Sequence, residues 1–72
     1  MYEKATIINA ENASAWFNLA CAYSLMGEKS RAVGHLAKAI QLDEANRELA
    51  KTDTDFDPVR NDPEFRTLVY GE

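Results

Sequence analysis

With 72 residues, one cysteine and one histidine, the chain is one small domain at most, and it has neither an internal disulfide nor a four-ligand Cys/His zinc site. Its net charge is −4, no cluster of Lys and Arg is arranged to follow a phosphate backbone, and no apolar run approaches the roughly 18 residues of a membrane span, so no nucleic-acid partner and no membrane are expected. At 46% apolar residues the chain can fold, yet it is too short to suggest a self-contained enzyme.

The first segment, YEKATIINAEN at residues 2–12, returns further along the chain. An offset of about 34 residues lays Tyr2 on Leu36, Lys4 on Lys38, Ala5 on Ala39, Ile8 on Leu42 and Asn12 on Asn46. Next, Trp16, Leu19, Ala20 and Tyr23 fall at i, i+3, i+4 and i+7, one face of a helix. Asn12 or Ser14 is expected to cap its start, and Gly27 to end it in the left-handed conformation. After a short turn, Ala32, Leu36, Ala39, Ile40 and Asp43 form a second stripe with Val33 beside it, so the two helices should pack antiparallel. Gly34, in the middle of the second helix, has no local reason to be there.

NRELAK, residues 46–51, reads as a short helix with Ala45 and Leu49 on one side. Asp57-Pro58 and Asp62-Pro63-Glu64 both read as helix starts, with Asp as cap and Pro at the first helical position. Phe56 and Val59, then Phe65, Leu68 and Val69, supply apolar surface, and Phe56 and Phe65 are the expected anchors of a tail that folds back.

The central pattern resembles the tetratricopeptide repeat, which runs W-x2-L-G-x2-Y, then A-x3-F, then P, over about 34 residues. Trp16, Leu19, Tyr23, Ala32 and Ala39 match directly; Ala20 stands for the usual Gly, Leu36 for Phe, and Gly27 marks the turn. Glu44, and Ala10 in the preceding copy, replace the closing Pro. The resemblance implies an all-α chain, an antiparallel helical hairpin cut from an α-α superhelix. Residues 1–12 would be the second helix of a preceding partial repeat, 13–46 a full repeat, and 47–72 a segment of short C-terminal capping helices like those that close bacterial arrays.

The same resemblance implies a non-catalytic scaffold that binds a protein or peptide segment without a cofactor. Its first helix would line a concave groove with Ser14, Phe17, Asn18, Cys21, Ser24 and Leu25. Phe17, Cys21 and Leu25 lie about a quarter turn from the Trp16–Tyr23 face, so the helix carries more apolar surface than one partner needs. Either this face is an open groove, or it packs under the helix of residues 2–9 or the tail. Of a site for a terminal carboxylate, only Asn18 is present.

Other chemistry is thinly represented. Asp53, Asp55, Asp57 and Glu64 match four ligand positions of an EF-hand loop, but Pro58 replaces the essential Gly and Phe56 points to burial, so no metal site is expected. Cys21 has no basic neighbour in sequence and reads as a small semi-buried residue, and His35 as a surface residue outside any catalytic set, so no catalytic residue is assigned. One free cysteine and no export signal fit a cytoplasmic, reducing compartment, with a signal upstream in a parent protein left open. Two alternatives to peptide binding stand: a structural cap closing a longer solenoid, and self-association through Tyr2, Ile7 and Ile8 as a homo-oligomer.

Overall fold

The computed structural model describes the backbone of residues 2–72 and the side chains of residues 13–72. The order is α1 (Tyr2–Leu25), α2 (Lys29–Leu42), α3 (Ala45–Thr52), a 3-10 helix (Thr54–Val59) and α4 (Pro63–Tyr70). Among the described residues there is no strand.

Helix α1 does not start at Asn12 or Ser14; both lie inside it. The segment contains no Pro or Gly, and Ala10, the best helix former, occupies the place where a Pro would break the chain. The expectation that Tyr2, Ile7 and Ile8 seek cover concerns side chains outside the described residues.

The α1–α2 turn behaves as its residues dictate. Gly27 takes φ 79°, a conformation costly for a side chain bearing a Cβ. Its N–H donates to the Ser24 carbonyl at 2.9 Å, and that of Glu28 to the Tyr23 carbonyl at 2.8 Å. This pair of bonds satisfies the carbonyls that a helix end leaves orphaned. The hairpin then closes on residues too small to hold the helices apart: Ala20, Ala32 and Ala39 are fully buried, with Leu36 and Ile40 beside them.

Asp43 ends α2 in extended backbone and is exposed rather than part of the buried stripe. In α3 the inward residues are Asn46 and Ala50, not Ala45 and Leu49; Leu49 is 53% exposed. The cause is a polar contact that hydrophobic patterning does not reveal. Asn46 Nδ2 donates to the Ala39 carbonyl at 2.9 Å, capping the last turn of α2 and rotating α3 to suit.

The tail follows its two Asp-Pro pairs unequally. At the second, Asp62 Oδ2 accepts from the N–H of Glu64 and Phe65 at 3.1 and 3.2 Å, and α4 begins at Pro63. At the first, Asp57 is no cap. Asp53 caps instead, with Oδ1 accepting from the Asp55 N–H at 2.9 Å, and Pro58 lies within the 3-10 helix. Phe56, Val59, Phe65 and Val69 are buried and complete one core with α1 and α2, so Phe56 and Phe65 do anchor the tail.

Candidate interaction surface

Helix α1 offers two faces, and the structure treats them differently. The first carries Phe17, Cys21 and Ser24, and the 3-10 helix lies on it. The rings of Phe17 and Phe56 meet edge-on with centroids 5.5 Å apart, and Phe56 meets Phe65 at 5.6 Å. Ser24 is fully buried and donates from Oγ to the Asp55 carbonyl at 2.7 Å. Cys21 Sγ makes a long contact of 3.9 Å with Asp53 Oδ2. Half of the six residues expected to line an open groove are therefore covered by the chain's own tail. Ser14, Asn18 and Leu25 stay exposed along its margin.

Cys21 has an unusual setting. Burial, then the charges of Asp53 and Asp55, push its thiol from an ordinary value of 9.0 up to about 12. Its sulfur and one carboxylate oxygen each of Asp53 and Asp55 lie within 4.8 Å of one another. Asp53 Oδ1 is engaged as the helix cap, accepting from the Asp55 N–H, while its Oδ2 faces the sulfur. The four carboxylates of the candidate calcium loop divide, with Asp53 and Asp55 together beside Cys21. Asp57 pairs with Arg60 at 3.0 Å, and Glu64 sits on α4 across a groove from α2.

The folded chain binds this proton more tightly than the unfolded chain. The associated stability is complete below pH 9 and is lost as pH rises from 9.0 toward 12. In melting curves across that range, the wild type should lose stability that Cys21→Ser retains. Equal pH dependence in the two proteins would contradict the burial of the thiol beside these carboxylates.

The second face carries Trp16, Leu19 and Tyr23. His35 of α2 is not a free surface residue, as its place in the sequence suggests, but is half-buried against this face. Its ring centroid is 5.1 Å from that of Trp16 and 5.0 Å from that of Tyr23, and Nδ1 lies 2.7 Å from the Arg31 carbonyl. That bond places the proton on Nδ1. The Arg31 guanidinium lies over the Tyr23 ring, 5.7 Å from its centroid. Leu19, between Trp16 and Tyr23 in the repeat signature, is 44% exposed.

The tail's attachment depends on a residue that sequence reasoning passed over. Arg60 donates from Nη1 to the carbonyls of Ala50 and Lys51 and to Tyr70 Oη, and from Nη2 to the Asp53 carbonyl at 2.6 Å. One guanidinium thus caps the end of α3 and ties it to α4. Its place in the turn between two short helices is the only signal the sequence carries.

A hairpin closed on Ala20, Ala32 and Ala39, with Trp16, Leu19 and Tyr23 aligned along its first helix, is the architecture the repeat pattern describes. The family model for the tetratricopeptide repeat matches residues 1–51. The chain belongs to the tetratricopeptide repeat family. Comparison with curated proteins and with solved structures returned no match. Tetratricopeptide repeats serve typically as protein-interaction scaffolds, and in this one the tail covers half of the residues expected to line a groove on α1. Among the described residues no helix is long and apolar enough to cross a membrane.

Proposed function

We propose that the chain is a non-catalytic protein-interaction element that closes a tetratricopeptide stack. In this reading residues 1–12 belong to a preceding partial repeat, 13–46 form the last full repeat, and 47–72 are its cap. The observation that carries it is the contrast between the two faces of α1. The tail occupies Phe17, Cys21 and Ser24, which argues against an extended peptide there, while Leu19 stays exposed between two half-buried aromatic residues. A helix laid along Trp16, Leu19 and Tyr23 would remove that apolar surface from water. The favoured partner is therefore an apolar helix, from an upstream repeat or from another protein. A cytoplasmic setting belongs to the same reading, since Cys21 is buried without a second cysteine to pair with.

The test is to fuse one tetratricopeptide repeat ahead of the chain and measure stability by denaturant titration. The fusion should stabilise residues 13–72. Leu19→Asp should abolish that gain while changing the unfused chain by less than about 0.5 kcal/mol, because the side chain is half exposed there. No gain in the fusion, together with peptide-induced resonance shifts at Ser14, Asn18 and Leu25, would favour the groove over this reading.

A further inference from the structure

The seat of the tail on α1 gathers three side chains able to ligate a metal. Cys21 belongs to α1, Asp53 caps the 3-10 helix, and Asp55 lies in that helix's first turn. Cys21 Sγ and one oxygen of each carboxylate lie within 4.8 Å of one another. A tetrahedral ion with bonds of about 2.3 Å to sulfur and about 2.0 Å to oxygen sets such donors roughly 3.3–3.5 Å apart, so side-chain rotation closes the set.

Two features distinguish this cluster from a patch of surface acids. Cys21 is only 8% exposed and its sulfur is aimed at the carboxylates, yet its contact with Asp53 Oδ2 is long, at 3.9 Å, and a thiol is a weak donor. Among the described residues, moreover, no Lys or Arg pairs with the carboxylate of Asp53 or Asp55, whereas Asp57 pairs with Arg60. Two like charges thus face a buried sulfur with no basic side chain to offset them, and they repel. The donors are also held in place. Asp53 Oδ1 accepts from the Asp55 N–H at 2.9 Å, which leaves Oδ2 toward the sulfur. The Asp55 carbonyl accepts from Ser24 Oγ at 2.7 Å, one turn from Cys21 on α1. Ordering that an ion would otherwise have to impose is already present.

Donor chemistry selects the ion. Zinc accepts thiolate and carboxylate together, whereas calcium and magnesium take oxygen. We infer that Cys21, Asp53 and Asp55 form a three-donor zinc site that pins the tail to α1, with the fourth position of the ion left to solvent. On binding, a sulfur lone pair forms the bond to zinc and the thiol proton leaves to solvent, one for each ion. The ion supplies the cross-link that a chain of 72 residues with one cysteine cannot make as a disulfide. The site uses the tail's seat on α1 and not the Leu19 face, so it is independent of repeat stacking.

Titration of the whole chain tests it, with zinc followed by calorimetry and with cobalt followed by absorbance. Zinc should bind near neutral pH with a dissociation constant of about 1–100 μM, and bound cobalt should show a thiolate-to-metal charge-transfer band. Cys21→Ser should remove that band and weaken zinc binding by about tenfold or more. Asp55→Asn and Asp53→Asn should each weaken it about tenfold with circular dichroism unchanged, since Asn still accepts at a cap. Glu64→Gln should leave it unchanged. Saturating zinc should raise the melting temperature of the wild type and not of Cys21→Ser. Bound cobalt without a charge-transfer band, equal zinc affinity in the wild type and Cys21→Ser, or displacement of zinc by excess calcium would overturn the inference.

Discussion

Phe56→Ala should bring the chain close to unfolding at room temperature. Phe56 has no exposure, and its ring touches both Phe17 of α1 and Phe65 of α4. Truncating a buried phenylalanine costs about 3–5 kcal/mol through lost transfer energy and the cavity left behind. A chain of 72 residues has a total stability of roughly 4–11 kcal/mol at the usual value per residue. A single ring therefore carries a large part of the whole. Urea titration followed by circular dichroism measures the effect, and Leu49→Ala, on the exposed side of α3, supplies the control with a change within about 0.5 kcal/mol. Nearly equal midpoints for the two variants would mean that the tail is not part of the core.

Arg60→Ala should be the most damaging substitution of a charged residue, at about 2–4 kcal/mol, because it deprives three backbone carbonyls of a charged donor at once. The side chain is 24% exposed, so water replaces part of what is lost. Arg60→Lys should recover little, since one ammonium cannot span carbonyls on both sides of the planar fork. The ion pair with Asp57 matters less. Its carboxylate is 63% exposed, and Asp57→Asn should cost well under about 1 kcal/mol. Thermal melts rank the three variants, and amide exchange at the end of α3 locates the damage. Arg60→Lys melting like the wild type would show that charge alone, rather than the fork, secures the tail.

The hairpin was legible because its residues repeat at helical spacing and its turn requires glycine. Asp62-Pro63 was legible because cap and first-turn preferences are local. Asp57-Pro58 carries the same local signal, yet Asp53 captured the cap and Pro58 fell inside a 3-10 helix. Burial of Phe56 set that register, and the ring it packs on is Phe17, far away in sequence. Asn46 and His35 misled for a related reason. Pattern puts His35 on the outer side and gives Ala45 and Leu49, rather than Asn46, a common side of α3, but each polar side chain reaches across to a second helix, Asn46 to a backbone carbonyl and His35 to two aromatic rings. The choice between groove and cap lay beyond periodicity altogether. Both readings demand apolar residues at Phe17 and Cys21, and only the path of the tail separates them.

The tail's position on α1 is the claim on which the rest depends. Nuclear Overhauser spectroscopy on the full chain tests it through the ring protons of Phe17 and Phe56, whose centroids stand 5.5 Å apart. The account predicts clear cross-peaks between these rings, with companions linking Phe56 to Phe65. Their absence in a folded chain whose α1–α2 contacts are intact would contradict it, and would return the face of Phe17, Cys21 and Ser24 to the role of an open groove.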